Sequence, residues 1–127
     1  ITTMYKLLVR NTLVAAMVLP STAVLAGPET TAKTEAEAHI DCAAVFIQVA
    51  QMAPGEAGAV WGEHAVQVMS LASDLSSVDA VQSALRERVP ARHAAFNAEV
   101  ARVGQPAAEQ QLLDTLTGCA NSYGLLK

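Results

Sequence analysis

From Thr34 onward, apolar residues recur at the spacing of a helix rather than a strand. Cys42, Phe46, Val49 and Ala53 form one stripe, and Glu37, Asp41, Gln48 and Gln51 form a mostly polar one, which is a period of about 3.6 residues rather than two. Thr34 and Glu37 have the spacing of a capping box, in which each side chain satisfies the other residue's free backbone N–H, so a first helix is expected to start there. Pro54 and Gly55 are expected to end it. The next segment is the most regular in the chain. Trp61, Ala65, Val68, Ala72 and Leu75 follow steps of four and three, with Glu63, Gln67, Ser70 and Asp74 keeping the same steps on the other side, as in a helix that packs one seam. Gly58 and Gly62 lower its helix propensity and either fray its first turns or admit a neighbouring backbone.

Ser76 with Asp79, or Ser77 alone, caps a third helix with apolar positions Val78, Val81, Leu85 and Val89. Pro90 removes a backbone donor, yet the pattern resumes through Phe96, Val100 and Val103, so Pro90 either kinks one long helix or begins a new one. Gly104 is placed to close this segment. Pro106 fits the first turn of a last helix with Leu112, Leu116, Cys119 and Tyr123 on one face and Gln110, Asp114, Thr117 and Asn121 on the other. No alternating β-branched run or internal repeat competes with helix. The expected fold is all-α, a small up-down bundle of four main helices over residues 34–127, the third kinked or broken at Pro90.

Ahead of the bundle the pattern changes. From Met4 a basic stretch with Lys6 and Arg10 leads into an apolar run from Leu13 to Leu19, then Pro20, Ser21, Thr22 and a Val24-Leu25-Ala26 triplet. This is the order of a cleavable secretory signal, with small residues at Val24 and Ala26 for the peptidase, and the cut is expected after Ala26. The apolar run is shorter than the ~20 residues of a membrane span, so no stable membrane anchor is expected after processing. Gly27 after the cut is not a lipid-accepting cysteine, and Arg10 is not paired as a twin-arginine signal requires. Residues 1–26 thus read as signal peptide, 27–33 as a short polar leader, and the product as periplasmic or secreted.

Composition agrees with one small folded domain. The chain has 127 residues, 52% of them hydrophobic and 16% charged, with few aromatics, which excludes a disordered chain and leaves Ala, Val and Leu to build the core. The net charge of −4 becomes more negative without Lys6 and Arg10, so no nucleic-acid partner is expected. The two cysteines fall on the apolar stripes of the first and last helices. In an up-down bundle those helices are antiparallel neighbours, and an exported chain meets an oxidising compartment, so a Cys42–Cys119 disulfide is expected.

Candidate chemistry is sparse. His39 lies one turn before Cys42, but a disulfide removes that thiol both as a metal ligand and as a nucleophile. His64 and His93 lie near apolar seams and could hold a metal or haem between helices, although no C-x-x-C-H attachment site accompanies them. Ser70, Ser73, Ser76 and Ser77 lack a G-x-S-x-G elbow and read as surface and cap residues. Glu35, Glu37 and Asp41 suit the positive end of a helix dipole. Arg86, Arg88, Arg92 and Arg102 gather most of the basic charge of the bundle on its third segment, a face suited to an acidic partner though interleaved with Glu87 and Glu99. The expectation is an exported, non-enzymatic protein-interaction module without a cofactor, contacting an unknown protein partner through those arginines. The alternative is a metal- or haem-binding bundle using His64 and His93.

Overall fold

The computed structural model describes residues 31–126. The chain divides into two compact units, Ile1–Lys33 and Thr34–Lys127, and the helical core lies within the second. The expected signal peptide and the leader as far as residue 30 lie outside the described residues. Among those described there are four helices and no strand: α1 over 31–52, α2 (Gly55–Leu75), α3 (Val78–Val103) and α4 (Gln105–Ser122). Together they form a helical bundle. None is long and apolar enough to cross a membrane.

Helix boundaries follow local chemistry, with one difference from expectation. Ser77 caps α3, its hydroxyl accepting from the Ala80 backbone N–H at 3.1 Å. Gly104 joins α3 to α4 with φ of +93°, a region that favours glycine, and Pro106 occupies the first turn of α4. The chain is already helical at residue 31, so Thr34 lies inside α1 rather than at its cap. Glu37 bonds Arg88 on α3.

Pro90 neither ends α3 nor begins another helix, since the segment is helical from Val78 to Val103. The carbonyl that loses its N–H partner belongs to Arg86, and both Arg86 and Pro90 are exposed, so solvent can reach the position of the missing donor. Gly58 and Gly62 have opposite roles. A Cβ on Gly58 would stand 2.6 Å from the Ala53 carbonyl oxygen and 2.7 Å from that of Ala50, whereas one on Gly62 would meet nothing within 4 Å. Gly58 therefore lets α2 close onto the end of α1.

α1 is the central helix. Ala36, Ile40, Ala43, Ala44, Val45 and Phe46 are all buried, too many successive positions for one stripe. Around them pack Ala65, Val68 and Ala72 of α2, Val81 and Leu85 of α3, and Leu116 of α4. Phe46 is the fully buried hub, with Trp61 at 5.5 Å, Tyr123 at 6.2 Å and His64 at 6.5 Å between ring centroids. Val78 and Leu75, expected on apolar faces, are instead 58% and 36% exposed, because they flank the α2–α3 turn.

Contacts fix the sense of the helices. Glu37, Asp41 and Gln48 on α1 meet Arg88 and Arg92 on α3 in ascending order, so these two helices run the same way. His39 meets Tyr123, and Cys42 meets Cys119, in descending order, so α4 runs against α1. The disulfide is present, with Cα atoms 5.5 Å apart within the range that such a bond accepts.

Candidate functional site

The polar stripe of α1 runs along α3, with Gln48 buried there and Glu37 and Asp41 still open to solvent. Asp41 and Gln48 of α1 face Arg88 and Arg92 of α3, and α4 closes the third side with Gln111 and Leu112; together they line a groove of about 410 Å³. Its α3 wall follows from spacing, because residues 88, 92, 95 and 99 step by four and three and share one side of the helix. Its volume follows from small residues. Ala44, Ala95 and Ala108, one from each helix, line the groove where larger side chains would fill it.

The charges in the groove are not equivalent. Arg88 donates through Nη1 to Asp41 Oδ1 at 2.7 Å and through Nη2 to Glu37 Oε2. The hydrogen bond to Glu37 raises its pKa most; partial burial opposes this, and Asp41 adds to the rise. Glu99 is held by Arg102, whose Nε bonds one carboxylate oxygen and whose Nη2 bonds the other at 3.1 Å, and this hydrogen bond is the main reason its pKa is lowered. Asp41 and Glu99 thus already have cationic partners.

Arg92 has none. Its Nε donates to Gln48 Oε1 at 2.8 Å, and the Gln48 amide donates to the Arg92 carbonyl oxygen at 3.3 Å. Gln48 is only 1% exposed, so this two-point clasp satisfies a buried amide while fixing the guanidinium. Among the described residues no carboxylate forms an ion pair with Arg92, and its Nη groups have no hydrogen-bond acceptor. Burial lowers its pKa, with the charge of Asp41 acting in the opposite direction. The groove therefore presents one oriented, partly desolvated cation that no carboxylate of the described residues contacts directly.

The four arginines do not make a single face. At about 100° per residue, Arg88, Arg92 and Arg102 cluster on one side of α3, whereas Arg86 lies roughly opposite and is exposed. Only Arg88 and Arg92 line the groove. The histidines are also dispersed. His39 Nδ1 meets the Tyr123 hydroxyl, and His93 Nε2 meets Gln51 Oε1. His64 packs against both Phe46 and Trp61, with its buried Nδ1 lacking a partner among the described residues. Among the described residues no three His, Cys, Asp or Glu side chains converge as metal ligands. Cys42 is bonded to Cys119, so it offers no thiolate. Ser73 bonds back to the Met69 carbonyl and Ser77 caps α3.

Gln48, Gln111 and Thr115 belong to the groove but were not singled out by sequence reasoning as site residues. A signal for Gln48 existed in the five consecutive apolar residues 43–47, which mark a helix buried on most sides, so that a polar residue next to them is buried too. For Gln111 and Thr115 there was none, since both sit among the polar residues of an amphipathic helix. Compared with protein-family models, curated proteins and solved structures, the chain matches none.

Proposed function

We propose that this is an exported, non-enzymatic module that loses residues 1–26 and acts by contacting another protein through the Arg92 groove. The observation that carries the reading is a guanidinium fixed by a buried glutamine and, among the described residues, in no direct ion pair, in an open groove. A partly desolvated cation binds an incoming anionic group more strongly than a surface one. The disulfide fits an oxidising compartment, and it occupies the only thiols in the chain. The leader-like order of residues 4–26 supports export. Of the arginines read from sequence, Arg88 and Arg102 are engaged internally and the exposed Arg86 lies outside the groove, which leaves Arg92 as the groove's member available to a partner.

Two measurements test this. The intact mass of the product recovered outside the cytoplasm should equal that of residues 27–127, and a product retaining its first 26 residues would overturn the leader. A photo-crosslinker at the groove-lining, exposed Ala95 should yield a partner adduct that Arg92→Glu removes and Arg86→Glu preserves. Adducts indifferent to Arg92 would overturn the contact surface.

One observation favours a second reading, a metal- or haem-binding bundle. The buried Nδ1 of His64 has no partner among the described residues, which is costly unless a group occupies it. Against this, His93 is engaged by Gln51. A metal assay and a visible spectrum of protein purified without a histidine tag decide it, and a colourless, metal-free protein overturns it.

A further inference from the structure

We propose that the Arg92 groove takes the C-terminal end of a peptide chain whose last residue is apolar. This rests on the reading of the groove as the contact surface and names the chemistry recognised there. The α-carboxylate meets the Nη groups of Arg92, and the terminal side chain lies on Phe96, Ala95 and Leu112.

Three features of the groove select this ligand. It offers one cation without a partner, because Arg88 is taken by Glu37 and Asp41 and Arg102 holds Glu99; that suits a single carboxylate better than an acidic stretch or a phosphate cluster. With Nε committed to Gln48, the terminal nitrogens are held in a fixed plane, the geometry for a two-point carboxylate contact. Asp41 and Glu99 also line the groove, each already paired with an arginine, and beside them the lining is mixed, with apolar Ala91, Ala95, Phe96 and Leu112 next to Gln111 and Thr115. A chain terminus carries its carboxylate and its last side chain on the same carbon and brings backbone N–H and C=O groups behind them. The apolar residues cover the side chain; the Thr115 hydroxyl donates to the Gln111 carbonyl oxygen at 3.0 Å and the Gln111 amide to Glu99, so both side-chain oxygens remain as acceptors for backbone N–H groups. A fatty acid shares the carboxylate and the apolar part but leaves those polar groups unpaired. The volume of about 410 Å³ falls in the range of pockets that hold ligands of a few residues.

The test uses the oxidised protein and three probes in calorimetric titrations: acetyl-Ala-Ala-Leu with a free carboxyl, the same peptide as its C-terminal amide, and octanoate. The free acid should bind, and the amide and octanoate should each bind at least about tenfold more weakly. Arg92→Gln should weaken the free acid by at least about tenfold, while Arg86→Gln, on the opposite side of α3 and outside the groove lining, should leave it unchanged. Should Arg92→Gln unfold the chain by orphaning Gln48, Ala95→Trp fills the groove without touching the clasp and must abolish binding. Equal binding of acid and amide, tightest binding of octanoate, or insensitivity to both groove variants overturns the proposal. So does an absence of free-acid binding; if the crosslinked adduct then still depends on Arg92, the contact surface stands and only the terminus fails.

Discussion

Reducing the Cys42–Cys119 bond should cost this protein a large part of its stability. The sulfurs close a separation of 77 residues, and the chain-entropy model gives a denatured-state constraint of about 15 cal/mol/K for a loop of that size, or about 4.5 kcal/mol at 25 °C. A domain of roughly 95 residues is stable by about 5–14 kcal/mol, so the bond supplies from a third to most of the total. The core points to the lower end. Of the fourteen buried hydrophobic residues among those described, seven are alanine, and a buried alanine removes little apolar area from water. Urea unfolding followed by circular dichroism at 222 nm, with and without reductant, measures the effect. At a slope of about 1.5 kcal/mol/M, the midpoint should fall by about 3 M, and a Cys42→Ser, Cys119→Ser double variant should match the reduced chain. A shift below about 0.5 M would refute the argument that the tie constrains the unfolded chain.

Other perturbations have definite signs. Gly58→Ala should destabilise by about 1–3 kcal/mol, because its Cβ would collide with two backbone carbonyl oxygens, whereas Gly62→Ala, in open space, should stabilise by about 0.5–1 kcal/mol; paired urea midpoints check both. Burial raises the pKa of Tyr123, so the neutral phenol is favoured in the fold. Its contribution is complete below the unfolded value of about 10 and is lost as pH rises through the folded value, which absorbance at 295 nm during alkaline titration follows. Tyr123→Phe, which removes the hydroxyl bonded to His39, should cost about 1 kcal/mol in urea unfolding. Arg102 lowers the pKa of Glu99, so the stabilisation is present above the unfolded value and fades as pH falls through the folded one. Arg102→Gln should raise the Glu99 pKa toward the ordinary carboxylate range in an NMR titration, and an unmoved titration would contradict the pairing.

Much of the architecture was legible along the chain. Apolar residues at steps of three and four identified the helices, Ser77 and Gly104 marked boundaries where a cap or a positive φ is needed, and two cysteines on apolar stripes indicated their bond. Such signals are local, or depend only on which stripe must face inward. Three-dimensional packing decided the rest. Gln48 read as a solvent-facing glutamine until α1 proved to be the central helix, surrounded on most sides, which turned its polar stripe onto α3. Arg88, Arg92 and Arg102 are alike in sequence; the carboxylates that neighbouring backbone brings to two of them leave the third without a partner. Pro90 allowed a kink or a break, and the exposure of the Arg86 carbonyl's side of α3 let the helix continue. Periodicity reports that a side chain lies on a face, whereas burial and charge pairing depend on what packs against that face, and that is set only when all four helices come together.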